Sequence, residues 1–369
     1  MSKKVAFITR HAVANYGSLL QAYATQSIIE ELGHDAVCID YVRRDELPEN
    51  LLKTRLYISN WNKNALTRLI YIATKRFDLN YEEKKFYDFR REILKLTDKT
   101  YHSRAELEKD LPEADVYMTG SDQVWNEITY RKIDPVYFLN FVPDGKKKTA
   151  YAASFGGKSV KDTDKELIGT MLKRYDSISV REKSGVKIAE DMGAEANQVL
   201  DPTLLMNKKR WGNLIPNKKC EEDYVLVYQL QPNKAFEKYS LEFAKRQNLK
   251  LLRISPSKSA RFKTGKLICC PPVGEFLWYI ENAKYFLTDS FHGTAFAINL
   301  NTPFIDILPN KFSERNRSIL SLVGLEHRIL DNLQDFSLAE DKIDFDKVNV
   351  IIEEERKKSI KLLRKMIEE

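Results

Sequence analysis

The chain has 369 residues, 43% of them apolar, which is too long for one ordinary core and predicts two domains. Sixty basic residues against 53 acidic ones give a net charge of +7. That excess is mild and dispersed, fits an anionic small substrate or a membrane surface, and comes without a DNA- or RNA-binding signature, so nucleic acid is excluded as the expected partner. No apolar run approaches the roughly 20 residues needed to cross a bilayer. Four cysteines (Cys38, Cys220, Cys269, Cys270) are scattered without metal-type spacing, so no metal is expected. No signal-peptide pattern precedes the first apolar run, and the expected compartment is reducing and cytoplasmic.

Val5–Thr9 reads as a buried strand, followed by the loop Arg10–Gly17. Ser18, with Gln21 three residues on, has the form of a capping box opening a helix that runs to about Leu32 and ends at Gly33. Ala36–Asp40 is the next strand, completing a βαβ unit; such units build parallel sheets that bind ligands at the strand C-termini. Residues 45–112 form a charged, mostly helical insertion holding Trp61, Tyr71, Phe77, Tyr81, Phe86, Tyr87 and Phe89. It reads either as an amphipathic hairpin packed on the sheet or as a flap over an acceptor or a membrane. Strands at Asp115–Thr119, Thr149–Ser154 and Ser177–Val180 end in the polar loops Gly120–Asn126, Phe155–Gly157 and Arg181–Ser184, and Gln198–Thr203 closes the first half.

A second α/β half begins near Cys220, with strands at Tyr224–Leu230 and Leu249–Ile254 around a helix at 234–247. Pro271–Trp278 starts a helix, Tyr285–Leu287 and Pro303–Ile307 are strands, and the tail from Asp346 to Glu369 is an amphipathic helix. Its stripe is Val348, Ile352, Ile360, Leu363 and Ile367. The expected architecture is α/β, with two Rossmann-like domains facing a cleft. An N-terminal domain spans 1–215, a C-terminal one 216–335, and a helix at 336–369 packs back on the first. Clefts between domains hold ligands.

The stretch from Tyr285 to Ile298 is the most informative. A short strand passes through Thr288, Asp289 and Ser290 to His292, Gly293 and a helix from Thr294 to Leu300. A strand feeding a helix in this way places backbone donors and a dipole end at one spot, which suits an anion. An imidazole beside an anion suits acid–base work on a phosphate ester, although it equally caps a helix or bonds within a core. Asn15 and Gly17 form a turn that either caps the next helix or lets a ligand approach the backbone. Ser121, Asp122, Gln123 and Trp125 cluster a carboxylate, an amide and an aromatic face, a set that recognises a sugar ring or activates a hydroxyl. Arg181, at a strand end, is either an ion-pair partner or a bidentate clamp for carboxylate or phosphate, and Arg315 and Arg317 are further cation candidates.

These segments together resemble the polysaccharide pyruvyl transferase family. The carrying residues are Asn15–Gly17 with Gln21 and Ala22, Gly120–Trp125, Ala153–Gly156, Ser179–Glu182, Leu200–Thr203 and Asp289–Gly293, in order over most of the chain. The resemblance implies two Rossmann-like halves similar to the two-domain glycosyltransferase B type. It implies transfer of a pyruvyl group from phosphoenolpyruvate, with no other cofactor, to a sugar of a surface polysaccharide or its lipid-linked precursor, forming a ketal. Carried onto matching positions, His292 is the acid or phosphate ligand and Arg181 binds the donor, beside Ser290 and Gly293. Asp122 is the base on chemical grounds. Where characterised members tend to place Arg-Leu before the histidine, this chain has Ser290 and Phe291, so either Arg317 or Arg10 replaces that cation or the donor differs. The alternatives are a glycosyltransferase using a nucleotide-sugar, or a non-catalytic saccharide-binding relative. Expected partners are a small-molecule donor and a saccharide acceptor, with peripheral membrane contact.

Overall fold

A computed structural model describes residues 1–59, 61–127, 132–308 and 313–369. The chain separates into two units, Met1–Pro202 with Lys358–Glu369, and Thr203–Lys357. The division precedes the boundary expected at 215/216 because residues just after Pro202 bond within the second unit. Asn299 Nδ2 donates to the carbonyls of Thr203 (3.0 Å) and Met206 (2.6 Å), and Arg356 Nε donates to that of Leu204 (2.9 Å).

The first unit holds β1 (Lys4–Ile8), α1 (Tyr16–Glu31), β2 (Asp35–Cys38), α2 (Pro48–Ile58), α3 (Ala65–Ile93), α4 (Arg104–Lys109), β3 (Val116–Thr119), β4 (Lys147–Ala153), α5 (Asp162–Leu172), β5 (Ser177–Val180), α6 (Lys183–Asp191) and β6 (Asn197–Gln198). The strands pair in parallel in the order β2-β1-β3-β4-β5-β6. Their central runs, such as Val5–Ile8 and Val116–Met118, are apolar and buried, as expected of strands covered on both faces. Helix α1 starts differently from expectation. Its cap is Asn15, whose Oδ1 accepts the Gly17 and Ser18 N–H groups, and Ser18 lies inside the first turn. Asparagine won because its carbonyl reaches those donors, while the Ser18 hydroxyl is drawn to a carboxylate described below.

The insertion is helical only in part. Helices α2 and α3 pack on each other, and the later part of α3 returns to the unit, placing Phe86 (4.9 Å) and Phe89 (6.4 Å) against the ring of Tyr16. Beyond α3 the chain runs extended along the sheet edge, with parallel bridges Cys38–Leu96 and Tyr41–Tyr101.

The second unit follows the short helices α7 (Pro202–Leu205) and α8 (Lys208–Gly212). It holds β7 (Tyr224–Tyr228), α9 (Lys234–Arg246), β8 (Lys250–Ser255), β9 (Lys266–Cys269), α10 (Val273–Glu281), β10 (Tyr285–Thr288), α11 (Phe291–Leu300), β11 (Phe304–Asp306) and α12 (Glu314–Leu322). Its sheet is parallel throughout, in the order β11-β10-β7-β8-β9. Strand β9 and helix α12 were not expected: the first is only half-buried and the second polar, so neither has strong apolar periodicity. Helix α13 (Phe345–Glu368) straddles the division. Val348 and Ile352 are buried within the second unit, Leu363 and Ile367 within the first, and Ile360 is half-buried. Ser359 Oγ accepts the Leu200 N–H at 3.0 Å.

Candidate functional site

In each sheet the chain reverses its direction of growth once. The first unit builds β1 and β2 and then resumes on the other side of β1 with β3. The second builds β7, β8 and β9 and resumes beside β7 with β10. Loops diverge at such points, and the crevice beyond the strand C-termini takes ligands.

At the β1/β3 point, Thr9 Oγ1 donates to the Ser121 carbonyl at 2.7 Å, and Gln21 Nε2 donates to Thr9 Oγ1 at 2.8 Å. These bonds hold the turn after β3 against α1. Asp122 follows in a left-handed conformation, φ 78°, which is uncommon away from glycine and typical of functional turns. Its carboxylate accepts the Ser18 hydroxyl on Oδ2 (2.5 Å) and the Gln123 N–H on Oδ1 (2.8 Å). Both bonds fix the orientation of the carboxylate.

Beside it runs a buried charge network. Asp201 Oδ2 accepts Ser121 Oγ (2.9 Å) and Arg181 Nη1 (2.8 Å). Glu182 Oε1 accepts Arg181 Nε (3.1 Å) and Ser154 Oγ (2.7 Å), and Ser154 Oγ accepts the Gly156 N–H (3.0 Å). The Arg181 side chain is only 2% exposed. Burial would lower its pKa, but Glu182, Asp201 and Asp122 outweigh burial and raise it, so the guanidinium stays charged. Two protein carboxylates therefore occupy donors that the sequence suggested for an external anion, and Ser121 serves the same network.

Trp125 is corrected outright. It is fully buried, stacked on Phe138 at 5.2 Å, and donates Nε1–H to the Tyr137 carbonyl at 3.2 Å. Its indole is core and offers no face to a sugar, because the polar turn before it lies across the strand ends and tucks the next apolar side chain underneath. Gln123 Oε1 accepts Asn126 Nδ2 at 2.9 Å and shapes the same turn. Asn15 is a cap, and Gly17 is an ordinary helical residue.

In the second unit Asp289 Oδ1 and Oδ2 accept the N–H groups of Leu230 (2.7 Å) and Gln231 (2.9 Å), stitching the β7/β10 point together. Thr288 Oγ1 donates to the Tyr228 carbonyl at 2.7 Å and accepts the Ser290 N–H at 3.0 Å. Ser290 caps α11, its Oγ accepting the Gly293 N–H at 3.2 Å. A Cβ on Gly293 would lie 2.6 Å from Thr288 Oγ1, so the turn admits only glycine without movement. His292 sits inside the first turn of α11, one turn earlier than expected, is 5% exposed and meets Phe291 edge-to-face at 5.1 Å.

The neighbouring cations separate. Arg315 lies over the Phe291 ring at 5.8 Å, whereas Arg317 is exposed on α12. In the first unit Arg10 Nη2 pairs with Glu46 Oε1 at 2.7 Å. The sequence reading missed Asp306. It is fully buried, and its Oδ2 accepts Thr294 Oγ1 and Asn316 Nδ2, both at 2.8 Å. Burial pushes its carboxyl up to about 7. Ser18, Glu182 and Asp201 were also missed as contributors. Glu182 and Asp201 lie just beyond strand ends, a weak signal that position alone carries.

A cavity of about 560 Å³ lies in the first unit, beside the loop after β1 and the later part of α3. Asn80, Glu83, Tyr87 and Arg90 line it, together with Ala12 and Thr100. Burial raises the Glu83 carboxyl to about 7.

A family model described as polysaccharide pyruvyl transferase matches residues 15–311. No curated protein sequence matches the chain. Among solved structures the chain is similar to the S. aureus MnaA–UDP co-structure, with 13% identity over 95% of this chain and 90% of that one, TM-score 0.53. It is similar to UDP-N-acetylglucosamine 2-epimerase from Rickettsia bellii at 12% identity, 98% and 97% coverage and TM-score 0.51. A putative enzyme of that name from Listeria monocytogenes gives 11%, 94% and 90%, and 0.51. At these identities the likeness carries the fold alone, an α/β fold of two Rossmann-like units of the glycosyltransferase B type.

Proposed function

The chain belongs to the polysaccharide pyruvyl transferase family, and from that membership we propose that it joins the pyruvyl group of phosphoenolpyruvate to two hydroxyls of a saccharide. The observation that carries the reading is Asp122, an acid at the β1/β3 reversal whose two oxygens accept hydrogen bonds from Ser18 and Gln123.

In the reaction one sugar hydroxyl adds its oxygen to C2 of phosphoenolpyruvate while C3 gains a proton and becomes a methyl group. The second hydroxyl then forms the other C2–O bond, and the C2–O bond to phosphate breaks. Two protons leave the sugar, one ending on C3 and one with the phosphate, and the product is a pyruvate ketal. Asp122 is assigned the proton of the attacking hydroxyl. His292, at the positive end of α11, is assigned to the phosphate and to proton delivery at C3. Ser290 and Gly293 shape the turn that receives the phosphate, and Arg315 provides the cation that Ser290 and Phe291 do not. Arg181 acts from behind as counter-ion to Asp201 and Glu182. The cavity lined by Tyr87, Asn80 and Glu83 supports a saccharide acceptor, which such a mix of ring face and planar polar groups recognises. A surface polysaccharide or its lipid-linked precursor is the acceptor class we assign.

The test is phosphate release from phosphoenolpyruvate with saccharide acceptors, run beside a thermal-shift comparison of phosphoenolpyruvate and nucleotide-sugars. Asp122→Asn is expected to lower kcat by about a hundredfold or more without moving the melting temperature. Stabilisation by a nucleotide-sugar and none by phosphoenolpyruvate would replace this reading with glycosyl transfer. Sugar binding without turnover would replace it with a saccharide-binding role.

A further inference from the structure

Six large apolar side chains stand exposed within one stretch of the insertion: Tyr57, Trp61, Leu66, Leu69, Ile70 and Phe77. Leu66 is 68% exposed, Leu69 64% and Phe77 82%. On α3 the last four fall at positions i, i+3, i+4 and i+11, and exposed Ala73 adds i+7. At about 100° per residue this is one continuous stripe roughly 16 Å long, on the side of α3 away from α2. The opposite side of the helix meets α2, where Arg55 reaches Glu82 at 3.4 Å. An apolar stripe of this kind marks a surface that something covers.

Charge identifies the occupant. From Asn50 to Phe77 the sequence contains no Asp or Glu, but it carries Lys53, Arg55, Lys63, Arg68, Lys75 and Arg76. Arg55 and Lys75 approach carboxylates of α3, whereas Lys53, Lys63, Arg68 and Arg76 are exposed; of the two on α3, Arg76 flanks the apolar stripe and Arg68 falls on the other side of the helix. A second copy of the chain would bring the same cations face to face across a two-fold axis. A protein partner's interface core is ordinarily depleted of lysine. An anionic bilayer complements both features at once: phosphates for the cations and acyl chains for the stripe, with Trp61 and Tyr57 suited to the boundary. Among the described residues no helix is long and apolar enough to cross a membrane, so the mode is surface insertion of an amphipathic helix.

We propose that the outer part of the α2–α3 hairpin, residues 53–77, docks on the surface of an anionic phospholipid bilayer, inserting Trp61, Leu66, Leu69, Ile70 and Phe77 within a field set by Lys53, Lys63, Arg68 and Arg76. The inference does not depend on the reaction assigned above.

Co-sedimentation of the full chain with vesicles tests it, comparing mixed phosphatidylcholine–phosphatidylglycerol with phosphatidylcholine alone. Partition into the mixed vesicles is expected, weakening with salt and falling in pure phosphatidylcholine. Leu69→Asp with Phe77→Asp is expected to weaken partition at least about tenfold. Arg68→Gln with Arg76→Gln is expected to cost about fivefold for each charge removed. Both variants replace exposed residues, so unchanged melting temperatures will show that they fold. The proposal is overturned if the wild type ignores the mixed vesicles or if neither variant changes partition. It is equally overturned if light scattering finds a lipid-free dimer that Leu69→Asp dissolves.

Discussion

Asp306→Asn separates the physics of the β11 carboxyl from everything else in the chain. The folded carboxyl titrates near 7, against an ordinary value of 3.8, because it is buried; the bonds from Asn316 and Thr294 only partly offset that burial. A gap of roughly three units, at about 1.36 kcal/mol each, sets a ceiling of about 4 kcal/mol. The sign follows from proton counting. Between pH 3.8 and about 7 the folded chain holds a proton that the unfolded chain has released. Asp306 therefore leaves the fold most stable below the lower value, subtracts stability as pH rises toward the upper one, and adds nothing further above it. Asparagine cannot titrate. The stability of the variant relative to wild type should therefore climb by up to about 4 kcal/mol between about pH 4 and about pH 8. Wherever the amide NH₂ replaces Oδ1, which has no hydrogen-bond partner, about 1–3 kcal/mol is lost at every pH, shifting the curve without flattening it. Urea unfolding at several pH values measures this, with tryptophan fluorescence reporting on α11 through Trp211, whose ring meets Phe296 at 5.2 Å. All other titrating groups are common to both chains and cancel in the difference. A difference that does not change with pH would refute the buried, proton-holding carboxyl and with it the clamp on Thr294 and Asn316.

Gly293→Ala places a methyl group 2.6 Å from Thr288 Oγ1, the hydroxyl that bonds the Tyr228 carbonyl and the Ser290 N–H, and should cost about 1–3 kcal/mol; an unchanged melting temperature would show that the turn gives way freely. Arg181→Gln leaves Asp201 and Glu182 without their shared cation and should destabilise by about 3–5 kcal/mol in chemical denaturation. If instead it unfolds like wild type and only loses affinity for phosphoenolpyruvate, Arg181 is a ligand clamp and the counter-ion role is wrong.

The architecture was legible because it rests on apolar runs. Val5–Ile8, Val116–Met118, Tyr224–Tyr228 and Tyr285–Leu287 are short, bounded by polar loops and separated by helical stretches, and that spacing specifies parallel strands. The position of the candidate site was legible for the same reason, since polar residues after parallel strands gather at one edge. What individual side chains do there was less so. Trp125 and Gln123 are two residues apart in one polar loop, yet one is core and the other shapes the turn; only the path of the loop over the strand ends decides which. Arg181 reads as a clamp until Asp201, twenty residues on, arrives beside it. Asp306 gives no local sign at all, because its partners Thr294 and Asn316 lie on two different helices.

The Ser290–Phe291 pair has a physical account of its own. A helix that begins directly after a strand needs an acceptor at its cap, and the Ser290 Oγ supplies one to the Gly293 N–H. An arginine at that position has donors only and could not make this bond. The turn is therefore capped and tightly held without a cation of its own. Phe291 acts from the other direction: its ring lies under the Arg315 guanidinium and attracts a positive charge to the histidine turn from α12. A cation carried on a neighbouring helix is positioned by the packing of that helix. Asn316, adjacent to Arg315, is bonded to the same Asp306 oxygen that holds Thr294, so the helix bearing the cation and the helix bearing His292 are registered to one buried atom.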